Sequence, residues 1–72
     1  MFIGHEVVER IKREYPVGCR VELRQMDDPQ APPIGTKGTV IAVDDTGSLI
    51  MRWDDGSSLN VVYGHDYARR IS

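Results

Sequence analysis

At 72 residues the chain has the length of one domain near the lower limit for unaided folding, in which only about 60% of the unfolded surface becomes buried. A net charge of −2 with both signs interspersed shows no basic excess of the kind that announces nucleic acid. The single cysteine leaves no internal disulfide to form and suits a reducing cytosol, and no run approaches the roughly 20 apolar residues of a membrane span.

Phe2–Ile3 is too short for the apolar core of a signal peptide, and Glu6 follows closely. The expectation is a small cytoplasmic domain with no membrane partner. Residues 4–15, GHEVVERIKREY, carry Val7, Val8, Ile11 and Tyr15 on one stripe, with Gly4 on the same side, the spacing of an amphipathic helix. Glu6 and Glu9 lie early and Arg10, Lys12 and Arg13 late, which suits the helix dipole. Glu6–Arg10 and Glu9–Arg13 are spaced as i,i+4 pairs. Pro16 disfavours helical geometry at Tyr15 and ends the element.

Residues 19–24, CRVELR, alternate without a fault and predict a strand with Cys19, Val21 and Leu23 inward. As a buried small hydrophobe Cys19 lacks an activating neighbour for catalysis. Residues 25–36, QMDDPQAPPIGT, form a long loop in which Pro29, Pro32 and Pro33 forbid a ladder. Ile34 is expected to tuck back into the core.

Residues 35–63 hold three β-rich runs, 37–43, 48–53 and 57–63, separated by two Asp/Gly turns, a strong hairpin signal. Parity puts Leu49, Met51 and Trp53 on one face with Leu59 and Val61, and Ile50 and Arg52 on the other. The loop Asp54-Asp55-Gly56 then pairs Trp53 with Ser57, Met51 with Leu59 and Leu49 with Val61. Gly56 falls at the left-handed position of a type I turn plus G1 bulge. An even loop over 44–47 pairs Val40 with Met51, Ala42 with Leu49 and Gly38 with Trp53, where a missing side chain leaves room for the indole. In this register Ile41 and Ile50 are cross-strand neighbours on the outer face. They need a cover: the helix stripe is expected to lie across them with Ile11 against Ile50, or, if the helix caps the barrel's end instead, Ile41 and Ile50 stay bare and become the first choice for a partner or self-association site. Gly64-His65-Asp66 reads as a tight turn and residues 67–71 as a closing strand. The expected fold is mostly β: a small five-stranded SH3-like barrel over residues 18–72 with an N-terminal helix, because closure removes sticky edges.

With Gly18, Val21 and Leu23 leading in, the stretch DDPQAPPIGTKGTV, the turn residues Asp44, Asp45 and Gly47, the WDDG of residues 53–56, and Asp66, Arg69 and Ile71 at the close together resemble a bacterial and phage family, domain of unknown function 4314. The resemblance covers roughly residues 15–72. More distantly the chain is similar to other SH3-like barrels with a WDDG turn, such as KOW-type modules and the MIB/HERC domain. The family resemblance implies an SH3-like fold and a setting in bacterial mobile elements or phages; it supplies no activity.

All seven aspartates, at 27, 28, 44, 45, 54, 55 and 66, fall in turns, where aspartate bonds nearby amides. The 44–45 and 54–55 turns lie at opposite ends of the meander, roughly 17 Å apart, so metal ligation is not expected. His5 and His65 lack a spaced second ligand. No phosphate-binding glycine loop and no activated Ser or Cys arrangement is present. The expectation is a non-enzymatic binding module without cofactor or metal, with protein as its partner, using Ile41, Ile50, Arg52, Tyr63 and His65. A rival reading binds nucleic acid through Arg20, Arg24, Arg69 and Arg70, a patch that predicts no useful affinity at about 0.15 M salt. A second rival is a small-ligand binder whose pocket forms between protomers of a homo-oligomer.

Overall fold

A computed structural model describes residues 4–72; the expectation about Phe2–Ile3 lies outside the described residues. The element order is helix α1 (His5–Glu14) and strands β1 (Arg20–Gln25), β2 (Lys37–Val43), β3 (Leu49–Trp53) and β4 (Tyr67–Arg70). The four strands form one antiparallel sheet in the order β3-β2-β1-β4. The fold is therefore mostly β with one helix, as expected, but with four strands in an open sheet in place of a closed five-stranded barrel.

The missing strand is the last run of the predicted meander. Its ends pair as the parity argument requires. Trp53 N donates to Ser57 O at 3.0 Å, and Leu49 and Val61 exchange both backbone hydrogen bonds, at 2.9 and 3.0 Å. Between those ends side chains replace the ladder. The Met51 amide donates to Asn60 Oδ1 at 3.2 Å, the Trp53 indole Nε1 donates to Leu59 O at 2.7 Å, and the Ser57 amide donates to Asp55 Oδ1 at 2.9 Å. Ser, Asn and Asp side chains compete with a regular ladder in this way. Four such residues in six, at 55–60, turn a strand into a bridged loop.

The first hairpin also departs from the even loop. Asp44 Oδ1 accepts from Thr46 N at 2.9 Å, Thr46 Oγ1 at 2.6 Å and Ser48 N at 3.0 Å, so one carboxylate shapes a five-residue turn that includes buried Ser48. Val43 then pairs with Leu49 and Ala42 with Ile50. Ile41 is the extra residue of a bulge between the Val40–Met51 and Ala42–Ile50 pairs. The Gly38–Trp53 and Val40–Met51 pairs stand where parity put them. Gly56 has φ +91°, the left-handed value the second turn needs.

The core gathers Ile11, Cys19, Val21, Leu23, Val40, Leu49, Met51, Trp53, Val61 and Ala68, with Val7, Tyr15, Met26 and Val43 packed against it. Ile34 is 59% exposed and not tucked in; the buried residue of its loop is Pro32. The helix does not cross the outer face of β2 and β3. Ile11 joins the inner core, leaving Ile41 exposed on the bulge and Ile50 half-buried. The physical reason is burial. The helix packs against β2, and Ile11 is buried in the same cluster as Leu49, Val61 and Ala68, which removes its apolar surface from water. On the helix surface the pairs formed are His5–Glu9 at 3.4 Å and Arg10–Glu14 at 3.9 Å, not those from Glu6 and Glu9. Exposed pairs of this kind differ by only tenths of a kcal/mol.

Candidate functional site

The turn before β4 is built by Asp66. Its Oδ2 accepts from Val62 N at 2.9 Å, while the amides of His65 and Asp66 donate to Val62 O at 3.1 and 2.9 Å. This closes residues 62–66 into a compact turn that projects Tyr63 and His65 on one side and delivers the chain into Tyr67. Helix α1 brings Arg10, Glu14 and Tyr15 alongside. Between them lies a cleft of about 580 Å³, lined by these side chains and floored by the core residues Ile11, Leu49, Val61 and Ala68. All three tyrosines of the chain line it. Tyr67 is 58% and Tyr63 41% exposed. Such exposure is unusual for rings of this size beside an apolar floor.

A second depression, about 350 Å³, is lined by Met26, Asp27, Asp28, Leu59, Asn60 and Val62. It shares His65 and Asp66 with the first, so the two adjoin at the turn before β4, one on the helix side and the other at the proline loop.

The expected partner-binding residues divide. Tyr63 and His65 line the groove, whereas Ile41, Ile50 and Arg52 lie on β2 and β3, with Ile50 and Arg52 on the face opposite Leu49 and Met51. Tyr15 and Tyr67 were not among those residues. The signal that could have found them is the placement of every tyrosine near the helix C-terminus or the last turn.

The four arginines do not act together. Arg20 grips Asp54 through a fork, Nη1 to Oδ1 at 2.8 Å and Nη2 to Oδ2, and also donates to Thr39 Oγ1 at 3.1 Å. This hydrogen bond holds the Asp54 carboxyl below the ordinary aspartate value, against a smaller opposing effect of desolvation, and raises Arg20 in turn. Arg24 sits in a bulge between the Leu23–Ala68 and Gln25–Tyr67 pairs, 3.1 Å from Glu22. Arg69 lies opposite Glu22 across the β1–β4 ladder. Arg70 turns away, donating to Glu14 O at 3.0 Å and Ser72 O at 3.1 Å. Carboxylates are thus interleaved with the basic side chains on that face.

Cys19 is buried and reduced, and burial raises its thiol pKa, the opposite of activation. Among the described residues no three His, Cys, Asp or Glu side chains converge as metal ligands, and every buried side-chain nitrogen or oxygen has a partner. No helix among them is long and apolar enough to cross a membrane.

Fold and groove define a small helix-plus-sheet domain of the mostly β class. The chain belongs to the family described as domain of unknown function (DUF4314), which matches residues 4–71 and so takes in helix α1 as well as the sheet. No curated protein and no solved structure matches the chain.

Proposed function

We propose that this protein is a non-enzymatic binding module that receives an extended segment of a partner protein in the tyrosine-lined groove between α1 and residues 61–68. One observation carries the reading: Tyr15, Tyr63, Tyr67 and His65 surround an open cleft whose floor is the molecule's own core. Large rings with a polar tip give contact area at small conformational cost, and aromatic-lined grooves are a recurrent dock for extended or polyproline-type segments. The volume falls within the range of about 300–1,000 Å³ typical of ligand sites. The chain path supports the same reading. β1 pairs with both β2 and β4, and the Leu49–Val61 bridge brings residues 57–61 beside β3 while the sheet stays open. The groove occupies the opening. A cytoplasmic setting in a bacterial or phage mobile element accords with the family resemblance and the lone reduced cysteine.

The test is a titration of the isotope-labelled full chain with short extended peptides, followed by amide chemical shifts. Shifts are expected at Tyr15, Tyr63, His65 and Tyr67, and Tyr63→Ala combined with Tyr67→Ala should weaken binding at least about tenfold, the loss of one good aromatic contact. Shifts confined to Ile41, Ile50 and Arg52, or none, would overturn it.

A further inference from the structure

The groove and the depression that adjoins it are together charged unevenly. Glu14 stands at the helix end, Asp66 in the middle, and Asp27 and Asp28 at the proline-loop end, against a single guanidinium, Arg10. Arg10 is 3.9 Å from Glu14, too long for a strong pair. Asp28 engages one oxygen with the Gln30 amide and Asp66 one with the Val62 amide, so each keeps accepting capacity. These carboxylates do not converge on a point where one ion would sit. They are strung along an aromatic groove and the depression beside it, which suits charges repeated along a chain. Of the molecule's other cations, Arg20, Arg24, Lys37, Arg52 and Arg69 lie on β1–β4, Lys12 and Arg13 stand in the last turn of α1, and Arg70 donates to the Glu14 carbonyl; none of these lines the groove.

We infer that the groove's occupant is a cationic extended segment, with lysine or arginine side chains reaching Asp27 and Asp28 at one end and Glu14 at the other. This rests on the peptide-groove reading above. An ammonium or guanidinium there meets carboxylates it can pair with and the partly exposed rings of Tyr63 and Tyr67, whose faces attract cations. A second copy of this chain is the wrong occupant for its own proline loop, because that loop carries Asp27 and Asp28 itself and would bring like charges together.

Three proline-containing heptapeptides distinguish the outcomes. They have identical backbones and carry at the same two positions lysine, glutamine or glutamate. Each is titrated into the full-length protein at low salt and at about 0.15 M salt, where the Debye length is near 8 Å. The lysine peptide is expected to bind roughly tenfold tighter than the glutamine peptide at low salt, with the gap narrowing at the higher salt. The glutamate peptide should bind weakest. Asp27→Asn, Asp28→Asn and Glu14→Gln together should bring the lysine peptide to the level of the glutamine peptide while leaving the glutamine peptide unchanged. That second condition separates lost charge from lost fold. Equal affinity for lysine and glutamine peptides overturns the charge inference and leaves the groove reading standing. Lysine preference unaffected by the Asp27/Asp28 and Glu14→Gln variants overturns the placement. No binding by any of the three overturns both readings together.

Discussion

A hydrogen atom is all that Gly38 presents to Trp53, and the indole occupies the space. A Cβ built at Gly38 would lie 2.7 Å from Trp53 Cε3, 2.9 Å from the Arg52 carbonyl oxygen and 3.0 Å from Met51 Cε. The Arg52 contact is backbone and cannot swing aside. Gly38→Ala should therefore cost about 1–3 kcal/mol, the range for overpacking a tight core, measured by urea unfolding. Gly56 is the opposite case. Nothing lies within 4 Å of its would-be Cβ, and the constraint is φ +91° alone. Gly56→Ala should lose roughly 1 kcal/mol for backbone conformation, and a β-branched replacement more. A Gly38 variant as stable as the native chain would refute the close approach. Both glycines were legible from sequence because strand parity fixes which residue faces Trp53 and which turn position needs a left-handed residue. What parity could not show was Ile34 pointing outward, since Pro32 competes for the same space and proline's fixed ring gives no periodic signal.

The element that failed to form as expected is the run from Ser57 to Val61, and Asn60 is the reason to examine first. Its side-chain oxygen serves the Met51 amide, which the carbonyl of a fifth strand would otherwise serve. Asn60→Ala should cost about 1 kcal/mol and speed hydrogen exchange at Met51 more than at Val40. Unchanged exchange at Met51 would mean water already serves that amide. Alternation told where this run begins and ends, with Ser57 opposite Trp53 and Val61 opposite Leu49. It could not tell that Asp55, Ser57 and Asn60 would spend their side chains on local backbone groups, because hydrophobic parity is blind to polar competition. The helix was legible for a similar reason and misplaced for another. Its stripe of Val7, Val8, Ile11 and Tyr15 is read directly from spacing. The face that receives it is set by packing against the rest of the core, which spacing does not show. Ile11→Ala, which truncates a buried member of the core, should lose about 2–5 kcal/mol. Ile50→Ala should lose less, and the reverse order would return the helix to the outer face.

Across the whole molecule the stability should fall on the acid side. Asp54, through its hydrogen bonds from Arg20, and Asp44, chiefly through the Thr46 hydroxyl, titrate below the ordinary aspartate value of 3.8 when folded. Their contribution is therefore complete above that value and disappears as pH falls through the lower, folded ones. A thermal-melting series from neutral pH downward should show the decline, and Asp54→Asn should flatten its steepest part. An acid limb unchanged in that variant would show that the Arg20–Asp54 fork contributes nothing to folding. At the alkaline end Cys19 works the other way. Burial raises its thiol above the ordinary 9.0, so the unfolded chain loses its proton first and stability drops as pH rises past that point.

The chain holds one tryptophan, and it is 1% exposed, with its indole N–H bound to the Leu59 carbonyl in the bridged loop. The protein thus carries its own optical gauge. Emission from Trp53 reports at once on the tightest part of the core and on the segment that stands where a fifth strand would be. Loosening of residues 57–61 should be visible as a change in brightness before global unfolding shifts the colour of the light. The three tyrosines that line the groove supply excitation energy to Trp53, so the transfer from ring to indole changes as a segment enters the groove or the chain comes apart.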